Sequence, residues 1–375
     1  MANNTKDSHL QVLSNNWNHW INSKIIRHIG GIKIIDNKIE KKFMNSKNSK
    51  KKRKILFKVI IKNNHQVFMK NFYLPKFPKL LLNLSYKQLR YKFDQPELNQ
   101  FKINRKRFTY FKKIKSQDKF LNFINEIALS QIPKVFVEGY LETKNKVKYL
   151  NWPKNPKIIL TSIEFYINEF FKFYTAQKML FGSKLVIGQH GMGNIDKYNL
   201  FTYYEKKICN RFLSWGKNSN DRKIYPLFAT TVSKKKIVKD SSAQGLIIPL
   251  YDFFRSPTRI VSVPHTDAGL QKYFQNINIF LSNVDKRIIS KSTLKYGYQY
   301  RNKISCEHLL TQFPKLSRNT EANTSRLYEQ SHKFKLNIET HHSTGFFESL
   351  NLNIPTILMV DKKYFNIASE YKKYF

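Results

Sequence analysis

A strand–helix–strand pattern in residues 157–187 constrains the fold more than any other feature of the chain. Residues 157–161 (KIILT) and 185–187 (LVI) are short apolar runs rich in branched side chains, as in buried strands. Between them, residues 164–180 carry apolar side chains at helical spacing, and Gly182 ends the helix. Two strands joined by one helix form a right-handed βαβ unit with a parallel sheet. The sequence therefore predicts an α/β fold.

The alternation of strands and helices returns in the second half of the chain. We predict strands in residues 245–250 and 354–360, a helix in 270–281 and another that starts near 346. A polar stretch, 217–244, separates the halves. The sequence thus predicts a basic N-terminal region (1–117), a first Rossmann-like domain (118–240) and a second one (241–375). Within the N-terminal region we expect a strand in 55–61 and a basic amphipathic helix in 80–93, more typical of a surface helix than of a membrane-binding one.

The positive charge is the most unusual property of the composition. The chain of 375 residues has 67 Lys and Arg against 25 Asp and Glu, a formal net charge of +42. Such charge suits nucleic acid or an anionic membrane surface, but it also arises when Lys replaces other polar residues throughout. The charges are spread along the chain with one dense block, 47–54, and no nucleic-acid motif accompanies them. This pattern disfavours nucleic acid as the partner and leaves an anionic membrane surface open.

The sequence also limits the compartment. No apolar run reaches eighteen residues, and the N-terminus lacks the apolar core of a signal peptide. The two cysteines, Cys209 and Cys306, form neither a metal-binding spacing nor a disulfide framework. We therefore expect a cytoplasmic protein, peripheral at most to the inner membrane.

The first candidate site is the glycine-rich loop of residues 188–193 (GQHGMG), directly after a predicted strand. Ligands of open α/β sheets bind at the carboxyl ends of the strands. His190 could there deprotonate an acceptor hydroxyl, because its pKa is ordinarily near neutral, or bind a phosphate or sugar. A purely structural loop histidine is an equal alternative. Glu205, on the next predicted helix, could reach the same cleft or lie on a solvated helix face.

The second candidate site is residues 341–348 (HHSTGFFE), a small polar cluster that opens a helix. Free N–H groups and the helix dipole at Ser343 and Thr344 favour a phosphate, and Glu348 could accept hydrogen bonds from sugar hydroxyls. Ordinary helix capping is the alternative for Ser343 and Thr344. Adjacent His341 and His342 point apart and have no evident third ligand, so we expect no metal here.

These motifs resemble a family of bacterial surface-carbohydrate transferases with a GT-B glycosyltransferase-like fold. The resemblance rests on PKIILTS (156–162), KLVIGQHG (184–191), Glu205, RFLSWG (211–216) and TGFFESLNLNIPTI (344–357), and it extends over roughly residues 133–375. In GT-B enzymes the acceptor binds mainly the first of two Rossmann-like domains, and a nucleotide-sugar lies between the domains. Similar loops in teichoic-acid and sialic-acid-like polymer transferases make CMP or CDP a candidate nucleotide of the donor.

The resemblance implies a glycosyltransferase that needs neither metal nor cofactor. It moves a sugar from a nucleotide-sugar to a surface glycan or a lipid-linked acceptor. His190 is then the catalytic residue on the acceptor side, and Thr344 and the helix start hold the donor phosphate. The complete set of predicted substrate-binding residues is Gln189, Gly191, Glu205, Ser343, Thr344 and Glu348.

The chain also departs from the family pattern. His342 replaces an Asn, Asn210 replaces an Asp, and a basic stretch of the second domain is only echoed by LKYG (294–297). The chain ends soon after the last matched strand, so we expect an incomplete second domain. Two alternatives therefore remain: a degenerate, non-catalytic relative, and a basic protein that binds nucleic acid.

Overall fold

The described residues of the protein fall into two compact units. A computed structural model describes residues 66–86, 98–108, 117–191, 200–216, 221–233, 235–238, 240–250, 267–295, 303–318, 326–341, 343–362 and 367–374. The first unit comprises Met1–Asn64 and Pro96–Lys154, and the second comprises His65–Gln95 and Asn155–Phe375. The predicted basic block and the predicted strand in 55–61 lie outside the described residues. Both sheets described below belong to the second unit. The predicted domain boundaries stay predictions.

Eleven α-helices and ten strands are present in the described residues. The helices are α1 Lys76–Ser85, α2 Lys119–Gln131, α3 Tyr140–Lys148, α4 Glu164–Ile167, α5 Glu169–Leu180, α6 Leu200–Ile208, α7 Asp267–Ser282, α8 Lys286–Ile289, α9 Lys303–Gln312, α10 Leu327–Ser331 and α11 Thr344–Asn351. The strands are β1 Val67–Met69, β2 Ile158–Thr161, β3 Lys184–Gly188, β4 Arg211–Trp215, β5 Ile224–Leu227, β6 Leu246–Pro249, β7 Thr293–Lys295, β8 Ser317–Arg318, β9 Leu336–Glu339 and β10 Thr356–Leu358. Short 3-10 helices lie at Arg105–Phe108, Lys134–Phe136, Thr230–Val232 and Ser369–Tyr374.

The described part of the first unit contains a buried arginine. The Arg107 guanidinium lies 2.6 Å from the Glu138 carboxylate and donates to the carbonyls of Leu129 and Ile132. These bonds join a 3-10 helix to the end of α2 and to the turn before α3. Arg107 is almost fully buried, so its charge is compensated inside the unit.

The first sheet of the second unit is fully parallel and has the order β1-β2-β3-β4-β5. Its core is aromatic, because Phe68 of β1 packs on Phe171 and Tyr174 of α5 at centroid distances of 6.2 and 5.1 Å. Burial of each such ring contributes about 1.5–3 kcal/mol. The strands follow chain order, without the reversal that defines a doubly wound sheet.

The second sheet is also parallel and has the order β10-β9-β6-β7-β8. Counted from β6, this is the 3-2-1-4-5 order of a doubly wound sheet, and it reverses between β6 and β9. Tyr273, Ile277 and Leu281 recur every fourth residue on α7 and bury one face of that helix in the core of this sheet. The predicted α/β class with parallel sheets is therefore confirmed.

Two predicted helices differ from the observed ones. The predicted helix 164–180 is broken at Asn168, whose extended backbone separates α4 from α5 and whose side chain caps α5 at the Phe171 amide. The predicted helix 80–93 begins earlier, at Lys76, and residues beyond 86 lie outside the described part. Pro78 lies in the first turn of α1, where a missing N–H removes no helical bond.

Candidate functional site

A large cleft lies at the carboxyl ends of strands from both sheets. Its volume is about 1320 Å³. Its walls come from the segment after β1, the loop after β3, the ends of β6 and β7, and the segment that leads from β9 into α11. The strand order of the second sheet reverses between β6 and β9, which is where open α/β sheets bind their ligands.

The loop after β3 is shaped by close backbone approaches. A Cβ on Gly188 would lie 2.3 Å from the ring of Phe72, so only glycine fits beneath that ring. The Gln189 side chain is buried, donates to the Gly191 carbonyl at 2.7 Å and accepts from the Trp215 amide at 2.8 Å. These bonds hold the loop to the end of β4. Gln189, predicted to bind substrate, thus lies under the loop with its amide bonded to backbone.

His190 lies on the cleft wall with a buried carboxylate behind it. Its Nδ1 lies 3.1 Å from Glu205 Oε1, close enough for an ion pair when the imidazole is protonated. The geometry of the pair does not meet the criteria for a hydrogen bond. The Tyr166 hydroxyl donates to the same Glu205 oxygen at 3.2 Å. Burial, reinforced by Glu205, raises the pKa of Tyr166 and keeps that phenol protonated. Glu205 therefore does not line the cleft, and Nε2 is the nitrogen that His190 has available for a ligand.

The start of α11 forms the wall next to His190. Ser343 caps the helix, because its Oγ accepts from the Phe346 amide at 3.2 Å. The capping expected as an alternative for Ser343 is thus present. A Cβ on Gly191 would lie 2.9 Å from Thr344 Oγ1, so the two sequence motifs meet at van der Waals distance.

Basic side chains outnumber acidic ones among the described residues that line the cleft. The five cations are Lys76, Lys79, Lys235, Lys295 and Arg326, and the two carboxylates are Glu329 and Glu348. Lys295, at the end of β7, is buried, and this burial lowers its pKa. Burial raises the pKa of Glu348, and the opposing charge of Arg326 lies 3.6 Å away. The excess of positive charge favours an anionic ligand.

A carboxyl group that the sequence analysis missed lies beneath the start of α11. Glu339, the last residue of β9, is fully buried; Ser343 Oγ donates to its Oε2 at 3.2 Å, and its Oε1 has no hydrogen-bond partner. Burial, together with nearby Glu348, raises its pKa to about 8. A neutral Glu339 leaves the positive end of α11 to an external anion, whereas an ionised one would compete with that anion.

The structure thus brings together residues from two distant parts of the sequence. His190, Ser343, Thr344 and Glu348 line the cleft, whereas Gln189, Gly191 and Glu205 are buried and do not line it. The roles predicted for all seven stay predictions. Residues of the cleft that sequence reasoning did not single out include Tyr73, Lys295 and Arg326. Of these, only Lys295 gave a signal, as part of LKYG (294–297).

The comparison with protein families found a match. A family model described as LIC12162 family transferase matches residues 1–375, the whole chain. The chain belongs to the LIC12162 family of transferases. Searches of curated proteins and of solved structures found no match.

Membership of the LIC12162 family confirms the coarser part of the sequence prediction, a transferase. In the described ranges, no helix is long and apolar enough to cross a membrane. In the same ranges, no three His, Cys, Asp or Glu side chains are grouped as metal ligands would be. Independence of a metal stays a prediction.

Proposed function

We propose that this transferase is a GT-B-like glycosyltransferase that moves a sugar from a nucleotide-sugar to a surface glycan or lipid-linked acceptor. The observation that carries the proposal is the contact between Gly191 and Thr344, which puts a histidine and a helix N-terminus on adjacent walls of one cleft. A transferase of this type needs both a base for the acceptor and an anion site for the leaving group.

The donor phosphate binds at the start of α11 in this proposal. Thr344 and the free N–H groups of the first turn face the negative charge, and the helix dipole adds about 0.3–1 kcal/mol. Lys295 and Arg326 line the same cleft and supply positive charge as the leaving nucleotide departs. Glu348 accepts hydrogen bonds from donor hydroxyls. The volume of about 1320 Å³ exceeds the usual size of a small-molecule pocket and leaves room for an acceptor.

The acceptor reacts on the His190 side. Its hydroxyl proton goes to His190 Nε2 as the oxygen forms a bond to the anomeric carbon of the sugar. The bond between that carbon and the phosphate oxygen breaks, and the nucleotide leaves with the electron pair. Glu205 lies 3.1 Å from Nδ1, and its negative charge stabilises the imidazolium that forms.

We place this activity on the cytoplasmic side of the membrane, with a CMP- or CDP-linked donor as a candidate. Surface glycans are commonly assembled on lipid carriers, and the net charge of +42 attracts an anionic surface.

A thermal-shift screen against CMP-, CDP-, UDP- and GDP-sugars tests the proposal. A donor that binds the folded state raises the free energy of unfolding by about 2.7 kcal/mol at a hundredfold excess over Kd, and the melting temperature rises with it. We expect one nucleotide class to stabilise the protein and the free sugar to have no effect. The proposal fails if no nucleotide-sugar stabilises the protein, and it loses to the nucleic-acid alternative if duplex DNA or RNA binds tightly with a steep salt dependence.

A further inference from the structure

Helix α1 presents its apolar face to solvent. Phe77, Leu80, Leu81 and Leu84 occupy positions i, i+3, i+4 and i+7 of the helix, so they form one stripe. Phe77 is 62% exposed, Leu81 40% and Leu84 49%. A surface helix ordinarily turns such a stripe to the core, so the exposed leucines Leu80, Leu81 and Leu84 mark this face of α1 as a surface on which a partner docks.

The orientation of α1 is fixed by contacts on its other side. Leu82 packs against a buried cluster that contains Met69, Phe72 and Leu160, and Asn83 is buried as well. These residues point roughly opposite to the stripe on a helical wheel. The stripe therefore cannot be buried by a simple rotation of the helix.

We propose that this face of α1 docks on an anionic lipid bilayer. Charge complementarity selects this partner: Lys76 is exposed beside the stripe at the start of the helix, and the chain carries a formal net charge of +42. Exposed apolar side chains flanked by lysines and aromatics are the pattern of helices that lie in the membrane interface. Tyr86, 40% exposed at the end of α1, extends the pattern. A second copy of this equally basic chain would meet charge repulsion at the same place.

Docking through α1 would bring the cleft to the membrane. The first turn of the helix, Lys76 to Lys79, lines the same cleft as His190, and Phe77 belongs to both the lining and the stripe. A lipid-linked acceptor would then present its sugar at the mouth of the cleft. This consequence rests on the function proposed above, whereas docking itself does not.

Vesicle sedimentation of the full chain tests the docking. The test variant is Leu81→Glu with Leu84→Glu, since neither residue lines the cleft. The matched control is Ile279→Glu with Ile288→Glu, because these side chains are exposed on α7 and α8 and give the same change in charge. All three proteins are mixed with vesicles of phosphatidylcholine and phosphatidylglycerol, and with phosphatidylcholine alone. Circular dichroism and the thermal shift by nucleotide-sugars verify that each variant is folded.

We expect the α1 variant to lose about tenfold or more of its partitioning onto the anionic vesicles, and the control to stay within about twofold of the wild type. Equal binding by all three proteins, or an equal loss in both variants, would overturn the proposal and assign binding to diffuse charge. A change from dimer to monomer in the α1 variant, with vesicle binding intact, would assign the stripe to a second copy. Loss of nucleotide-sugar binding in every protein would count against the proposed function and leave the vesicle result unaffected.

Discussion

At the scale of single residues, the pair of His190 and Glu205 is the most informative place to intervene. His190→Ala removes the proposed base, and loss of a general base ordinarily slows a reaction about 10²–10⁴-fold. Glu205→Gln keeps the volume and the acceptor for Tyr166 but loses the charge behind His190, so we expect a smaller fall in kcat and an unchanged KM for the donor. Steady-state kinetics with the donor found by the thermal-shift screen measures both variants. Near-normal turnover in His190→Ala would contradict the role of base.

A second prediction at this scale concerns Glu339 and pH. The folded state keeps a proton on Glu339 up to about pH 8, whereas the unfolded chain releases it near the ordinary pKa of 4.5. The folded state therefore binds more protons between these values, and the free energy of unfolding falls as pH rises through this window. Glu339→Gln removes that dependence, and we expect the change from pH 5 to pH 8 to be smaller by roughly 3 kcal/mol than in the wild type.

Urea unfolding at the two pH values measures this difference directly. Comparison with the Gln variant cancels the titration of all other groups. Parallel pH dependences in the two proteins would show that Glu339 is not held neutral. That result would also contradict the inference that the start of α11 is left to an external anion.

At the scale of elements, the junction of β3 with its loop depends on glycine. A methyl group on Gly188 would overlap the Phe72 ring, a buried part of the segment after β1. We expect Gly188→Ala to lower the free energy of unfolding by roughly 1–3 kcal/mol, as overpacked cores do. Adding Phe72→Leu should recover part of that loss, because it shortens the side chain that clashes. A double-mutant cycle without coupling between the two sites would contradict the packing.

The first sheet contains strands that were predictable from the sequence and strands that were not. Strands β2 and β3 and the helical stretch between them were predicted because apolar spacing changes there from strand to helix. Strand β5 was missed and assigned to a linker. Its four residues, Ile224–Leu227, include Pro226, which a strand tolerates at the edge of a sheet, and β5 lies at that edge. Periodicity has little power over three or four residues, which also explains why β1 was missed.

Some residues of the cleft were predictable from the sequence because they lie at the ends of regular elements. His190 and Thr344 follow or open regular elements, and the carboxyl ends of parallel strands are where such residues gather. Tyr73 and Arg326 lie in segments without a periodic pattern, so nothing local marks them. Glu339 looks like an ordinary strand residue in sequence, and only the tertiary burial under α11 changes its chemistry. The reversal of strand order in the second sheet likewise arises from tertiary pairing.

At the scale of the whole molecule, a buried cluster connects the first sheet to helix α11 of the second sheet. Trp215 of the first sheet packs on Phe347 of α11 at a centroid distance of 6.3 Å, within a buried cluster that includes Val232 and Tyr328. The Ala229 amide donates to the Asn351 side chain at 3.1 Å. These contacts hold the start of α11 at a fixed place relative to the His190 loop. A preorganised arrangement of base and anion site is what transfer to an acceptor requires.

The central claim is that the start of α11 binds the phosphate of a nucleotide-sugar, and Thr344→Glu tests it. A glutamate in the first turn favours the helix, so we expect the variant to fold. Its carboxylate would occupy the phosphate site and repel the phosphate of the ligand. Ile279→Glu, on the exposed face of α7, is the control for the change in charge.

The decisive measurement is calorimetric titration of the nucleotide-sugar that stabilises the wild type most. The account predicts about a tenfold or larger loss of affinity in Thr344→Glu and unchanged affinity in Ile279→Glu. Equal affinity in all three proteins would contradict it.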